Sequence, residues 1–518
     1  MLKVANVKMN IHVKEEDYKK VLSSHLNIRH KEITNVKLIK RSIDARKADV
    51  FYICTFAFDV LNEAQVLKQC KQVAKYEPFV LEIPPKIDEK VIVVGSGPAG
   101  LFCAWLLAKS GTKVTLLERG KCVEERMKDI ELFREKGVLN TNSNIQFGEG
   151  GAGTFSDGKL STGIKDARIQ TILETFVSYG APEDILYEAL PHIGTDYLRV
   201  VVENMRKDLI AMGAEVRFES QVTNLVISNN QVQGVIVNEK ERIDANHVVF
   251  AIGHNARDTF EMLYENKVEM HSKPFSVGLR VEHLQKEVNV TQYKKAANYL
   301  KAASYRAAYK ASNKKGVYTF CMCPGGEVVP ASSEVGMVVT NGMSEYARSK
   351  TNANSAVLVS IDESDYGDHH PLAGMYFQRE LERKAFELGG SNYHAPASTV
   401  GDYLNHTVTK EFNKIQPSYK PGVTPVDLHL LFSDQINLAL EEGLVAFSQK
   451  LPFFKDQEAV LTGVESRSSS PVRFYRDDKG MSNISGLYPC GEGAGMAGGI
   501  VSAAVDGLEI ATKILGNK

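Results

Sequence analysis

The sequence predicts an α/β chain in three parts, one of them discontinuous, and three observations support this. A β-branched run, Val91, Ile92, Val93 and Val94, leads into the turn Gly95-Ser96-Gly97-Pro98-Ala99-Gly100 and then into an apolar helix. A second strand, glycine turn and helix occupy residues 484–518, so two pieces of one fold lie far apart in the chain. Residues 1–86 carry a separate strand-helix-strand-strand-helix order. The 518 residues are enough for about three domains at roughly 150 residues each.

In chain order, residues 3–13 alternate as a strand, 17–26 read as a helix and 33–43 alternate again. Residues 50–58 are a buried-strand run, and 62–76 carry helical spacing. That order predicts a ferredoxin-like α+β module. Pro84-Pro85 marks a linker, because paired prolines support neither helix nor central strand. Residues 91–118 then read as strand, turn, helix and strand, and a further α/β stretch ends in the strand 247–252 and Gly253. Residues 270–460 mix short strands, loops and helices without a second nucleotide turn.

The glycines have mechanical jobs. Gly95 permits the tight turn, Gly97 lets backbone approach a pyrophosphate, and Gly100 lets helix and strand pack closely. Pro98 and Ala99 open the helix, whose N-terminal N–H groups and dipole suit phosphate. Glu118, at the end of the second strand, is expected to accept hydrogen bonds from the adenosine ribose, with Arg119 beside it. One such fingerprint, followed by a second glycine-rich contact set, favours FAD over a diffusible nicotinamide. That set runs from Phe147 to Leu160 and supplies Gly150, Gly151, Asp157, Gly158 and Lys159 as cofactor contacts. Near the C-terminus, Gly491, Glu492, Gly498, Gly499 and Ile500 are expected to hold the ribityl chain and the flavin edge. A helix N-terminus there would stabilise the negative charge of a reduced flavin.

The motif GSGPAG with Glu118-Arg119, the strand end Ala251-Ile252-Gly253 and LYPCGEGAGMAGGI resemble the FAD-binding parts of glutathione-reductase-type flavoproteins. More narrowly, the chain resembles a bacterial FAD-dependent dehydrogenase family whose substrate is unassigned. Residues 275–283, Cys321-Met322-Cys323-Pro324-Gly325-Gly326, residues 340–344 and Gly463-Val464-Glu465-Ser466-Arg467 carry that likeness. It implies FAD and redox chemistry and supplies no substrate. No CxxC or CxxxxC pair is present, so the thiol mechanism of the disulfide reductases is not implied.

Together these readings predict a discontinuous FAD-binding Rossmann-like domain with an inserted α+β substrate domain. The expected bounds are 1–86 for the N-terminal module, 87–270 and 461–518 for the FAD-binding domain, and 271–460 for the substrate domain. The catalytic candidates are Arg467, as a contact to flavin or an anionic substrate, His369 and His370, as proton donors near neutral pH, and His283, on a strand that forms either an active-site roof or a sheet surface. Cys321, Cys323 and Cys490 are read as structural or incidental, with a redox role the alternative. No metal-ligand spacing appears.

The expected activity is hydride transfer between bound FAD and an organic substrate or NAD(P)H, the latter docking transiently as electron donor. Rival readings are a flavin-dependent nucleic-acid-modifying enzyme, with the N-terminal module on RNA, and a flavin sensor without turnover. A net charge of -1 gives no global field toward nucleic acid or anionic lipid. Seven cysteines without scaffold spacing suit a reduced, cytoplasmic setting. The densest apolar stretch, residues 101–108, is far shorter than the ~18 residues a membrane span needs, so no membrane partner is expected.

Overall fold

Val91–Val94 is the central strand of a five-stranded parallel sheet, and all four of its residues are buried. The computed structural model describes residues 1–516. Val114–Leu117 and then Glu215–Arg217 lie to one side of the central strand, with His247–Phe250 and then Leu487–Pro489 to the other. The chain builds one side before crossing to the second, so the central strand sits at the point where strand order reverses. Open parallel sheets leave a crevice there, beyond the carboxyl ends of the strands. The helix Pro98–Ser110 starts in that crevice from Gly97. Ile500–Gly516 packs against it so closely that a Cβ on Gly507 would overlap the Ala99 carbonyl oxygen.

A seven-stranded sheet forms the second body. Its order is Ala308–Lys310, Gly316–Cys323, Asn352–Ile361, Phe275–Leu284, Val460–Glu465, Ala395–Thr399 and Val423–Pro425. All neighbours are antiparallel except the last pair. Phe275–Leu284 and Asn352–Ile361 are ten residues each, so this region is a broad continuous sheet rather than the short strands expected. Val460–Glu465 belongs to it, which moves its boundary past the expected residue 460. The physical reason is burial: every residue of Val460–Glu465 is covered between Phe275–Leu284 and Ala395–Thr399.

The first residues form a four-stranded antiparallel sheet in the order Ile33–Asp44, Phe51–Val60, Leu2–Asn10, Val73–Lys75. The helix expected over 62–76 stops at Gln69, because Val73–Lys75 turns back to pair with Leu2, Lys3 and Val4 as an edge strand. Arg41 ties the module to the parallel-sheet body: its guanidinium pairs with Glu188, and its backbone N–H donates to the Tyr187 carbonyl oxygen at 2.6 Å. Among the described residues, no helix is long and apolar enough to cross a membrane.

Candidate cofactor and active site

A cavity of about 380 Å³ runs from the first glycine turn to the underside of the seven-stranded sheet. Gly95, Gly97, Pro98, Ala99, Glu118, Arg119 and Gly151 line one end. Gly253, Glu492, Gly498, Gly499 and Ile500 line its middle, Tyr318, Phe320 and Glu465 come from the seven-stranded sheet, and Asn341 from a separate two-stranded ribbon. At Gly253, Gly498 and Gly499 an added Cβ would meet no protein atom within 4 Å, and at Gly97 only the Gly151 Cα at 3.9 Å. Bare backbone faces open space at four places along the cavity. That is the shape a flat ring and a diphosphate require, so the residues present fit a dinucleotide.

Other expected contacts stand behind the wall. A Cβ on Gly100 would overlap the Gly95 carbonyl oxygen, and one on Gly150 would overlap Thr154 Oγ1. Gly491 N–H donates to Asp506 at 2.7 Å. These three glycines permit close packing instead of touching the cavity. Asp157 and Lys159 form an ion pair of 2.6 Å, and Ser344 Oγ donates to Asp157 at 2.5 Å. Asp157 and Lys159 therefore tie the glycine segment to the sheet loops, Gly158 packs on Ile193 and Gly194, and all three lie outside the cavity lining.

Glu118 lines the cavity, yet its carboxylate is already used. Oε2 accepts from Ser96 N at 2.9 Å and Ser96 Oγ at 2.8 Å, and Oε1 from Gly120 N at 2.9 Å and Gly148 N at 3.0 Å. Four donors match the carboxylate's roughly four acceptor sites. Glu118 thus clamps two loops together in the place where a ribose contact was expected. Arg119 grips Asp258 at 2.8 and 3.1 Å and lies 4.4 Å from the Phe147 ring centroid.

The catalytic candidates separate in the structure. Arg467 lines the cavity, but its nitrogens are consumed by Glu382 at 2.9 and 2.7 Å, Ser333 at 2.6 Å and Asn255 at 3.2 Å. Arg257 holds the same Glu382 from the other side at 2.7 and 2.8 Å. Burial alone would neutralise Glu382, yet the two guanidiniums hold its carboxyl well below the usual range. Arg467 accordingly braces the wall and has no free donor fork for an anion. His283 is buried among Tyr305, Phe453 and Phe454, and burial holds its pKa down at about 3. His369, its side chain 92% exposed, bonds Glu363, and His370 accepts from Leu372 N–H at 3.1 Å. All three histidines lie outside the cavity lining, so they are withdrawn as catalytic candidates.

The histidine that does reach the cavity is His254, which the sequence reading missed. Its Nδ1 sits 3.2 Å from Glu492 and its Nε2 3.1 Å from the Arg467 carbonyl oxygen. Its position directly after the strand-end glycine was the available signal. Glu465, also missed as a site residue, is held by Arg280 at 2.9 and 3.0 Å, and burial raises its pKa. Cys490 lines the cavity too, but burial beside Asp506 pushes its thiol well up and keeps it protonated.

Residues 88–312 match the family described as FAD binding domain, and residues 274–468 match FAD-dependent protein, C-terminal domain-like. Residues 1–59 match a domain of unknown function. An uncharacterized protein of Clostridium beijerinckii is 42% identical over 526 residues, covering 99% of this chain and 98% of that one. The chain belongs to this clostridial protein's family. It is an FAD-binding flavoprotein, and FAD is its cofactor. Thiamine thiazole synthase of Aeropyrum pernix is 24% identical over 228 residues, covering 41% of this chain and 70% of that protein. Among solved structures, the halogenase PltM in complex with phloroglucinol and FAD shows 10% identity and a TM-score of 0.39, over 82% of the flavoprotein and 69% of that chain. Glycerol-3-phosphate dehydrogenase from Bacillus halodurans complexed with FAD shows 12% identity and a TM-score of 0.35, over 83% and 66%.

Proposed function

We propose that this flavoprotein is an oxidoreductase acting on a small organic substrate held between the glycine cradle and the seven-stranded sheet. The observation that carries the reading is the continuity of the cavity from Gly97 to Tyr318, Phe320 and Glu465. Bound FAD would supply the two-electron chemistry, taking hydride from a substrate or from NAD(P)H docked transiently in the cleft. The chain's own residues bind and position. Gly97, Gly151 and the N-terminus of Pro98–Ser110 take the diphosphate, and Gly498, Gly499 and Ile500 take the ring edge. His254, paired with Glu492, is the group placed to hold or release a proton at Nδ1. Tyr318 and Phe320 offer aromatic surface to the substrate from the sheet side.

In this reading the N-terminal residues form a ferredoxin-like module that covers the FAD-binding body, and the seven-stranded sheet is an inserted substrate domain. The RNA reading finds less support. Of the basic strand Ile33–Asp44 and its turn, Arg41 is spent on Glu188 and Arg46 on Asp44, which suits docking within the chain. A reduced, cytoplasmic setting remains part of the proposal.

The test is anaerobic. Purified protein should be yellow and release FAD on denaturation, and NADH, NADPH or an organic donor should bleach it, with colour returning on addition of an acceptor. A chain that holds FAD but is bleached by no donor would favour the sensor reading instead.

A further inference from the structure

Cys321 and Cys323 end the strand Gly316–Cys323, and the function proposed above does not use them. The pairing of this strand with Asn352–Ile361 slips between Phe320 and Cys323, and Cys321 takes φ +42 in the left-handed region. The bulge brings both sulfurs to one ammonium: Lys159 Nζ lies 3.9 Å from Cys321 Sγ and 3.8 Å from Cys323 Sγ. Asp157 anchors that ammonium at 2.6 Å. Arg280 adds a second cation, with Nη1 3.9 Å from Cys323 Sγ and donating to the Cys321 carbonyl at 3.2 Å. Cys321 lines the cavity, and Cys323 is buried behind it. Two adjacent sulfurs, two cations and an opening onto the cavity thus coincide.

We propose that Cys321 and Cys323 are a redox-active dithiol that takes disulfides as its substrate class, with Cys321 the attacking thiolate and Cys323 the resolving thiol. The inference deepens the reading above and rests on it for the place where the substrate sits. The Cys323 thiol, which donates to the Cys321 carbonyl oxygen at 3.2 Å, favours charge on the neighbouring Cys321 sulfur, and Lys159 and Arg280 add positive charge. These hold Cys321 well below the usual thiol range against burial and against the acidic Asp157, with Glu465 the other carboxylate facing it. Burial, with the negative Cys321 sulfur beside it, holds Cys323 well above that range. An attacking thiolate beside a protonated resolving thiol is the division of labour that exchange requires.

The exchange balances. Cys321 attacks one sulfur of the substrate disulfide, the S–S bond breaks, one substrate thiolate leaves and a mixed disulfide forms. Cys323 gives its proton to that departing thiolate and attacks Cys321 Sγ. The second substrate thiolate leaves, takes a proton from solvent, and a Cys321–Cys323 disulfide remains. Two electrons have passed from the cysteine pair to the substrate. Excess external thiol runs the exchange backwards.

The test uses the full chain loaded with FAD and dithiobis(nitrobenzoate), an aromatic disulfide that releases a coloured thiolate. At mildly acidic pH the native chain should release two equivalents more than Cys321→Ser, and mass mapping should find Cys321 joined to Cys323. Cys323→Ser should release one equivalent at this site and keep the adduct on Cys321. Equal release from native chain and Cys321→Ser, or a native product that stops at the adduct, overturns the dithiol. The mapping on native chain decides the matter even where a variant fails to fold. Visible flavin absorbance is read in parallel: a chain that holds flavin and fails the exchange overturns the dithiol alone. A chain that exchanges disulfide but never holds flavin overturns the function proposed above.

Discussion

The two walls of the cavity are made of different materials. Toward the parallel sheet the wall is backbone, with Gly97, Gly253, Gly498 and Gly499 leaving room where side chains would stand. Toward the antiparallel sheet it is side chain, and its charges are paired in depth: Arg467 and Arg257 on Glu382, and Arg280 on Glu465. A backbone wall tolerates a ligand of fixed shape and little else. A side-chain wall of buried charge is stable only while every partner is present, because an unpaired buried ion is costly. The difference teaches that substitutions on one wall should act on cofactor affinity, and on the other on folding.

The largest effect should come from Glu382→Ala. It removes the buried carboxylate that two guanidiniums share, leaving them only the partly exposed Glu334 as counter-ion, and should cost about 3 kcal/mol of stability, read by denaturant unfolding. A loss below about 1 kcal/mol would show that the charge network does not hold that wall.

Glu149, on the glycine side, sharpens the contrast because its charge is poorly compensated. Burial pushes its carboxyl up to about 7, against a backbone hydrogen bond from Val123 and the charge of Arg206. The folded chain therefore keeps a proton that the unfolded chain has released. Its contribution to stability is fully present below the ordinary glutamate value and is lost as pH rises through about 7. Glu149→Gln should stabilise the chain by up to about 3 kcal/mol above neutral pH and by little under acid. Thermal unfolding across that range checks the sign, and a gain that persists in acid would refute the assignment.

The smallest change tests the backbone wall itself. Gly97 has φ −70, which alanine adopts freely, and the nearest protein atom to an added Cβ is 3.9 Å away. Gly97→Ala should leave the unfolding of the flavin-free chain unchanged while weakening FAD at least tenfold, about 1.4 kcal/mol. Unaltered flavin affinity would mean that the diphosphate lies elsewhere. Gly100→Ala is the contrasting control, since its Cβ would overlap the Gly95 carbonyl oxygen and damage the fold before the site.

The cofactor cradle was largely legible in the chain because its signals are local. The turn 95–100 and its flanking strand and helix lie within about twenty residues, where spacing and backbone freedom govern shape. Arg467 and His283 were not legible as structural residues, because partners distant in the chain decide their roles, as they do for the neighbouring Arg280. Arg467 meets Glu382 across 85 residues, and Arg280 meets Glu465 across 185. His283 lies on a strand expected to roof the site or face outward, and it has instead the surroundings of a core residue, which Phe453 and Phe454 impose. Even Glu118, correctly placed at the strand end, acquires its four donors from loops that fold back onto it.

What the sequence determined unaided is the dinucleotide turn, the cofactor class and the discontinuous parallel sheet, since short-range periodicity and glycine placement dictate each. Only the tertiary structure decided which ionisable groups remain free, that His254 rather than His283 reaches the cavity, and that Cys321, Cys323 and Lys159 meet. The reason is physical: backbone conformation is set by near neighbours, whereas the state of a buried charge or thiol is set by whatever the fold packs against it.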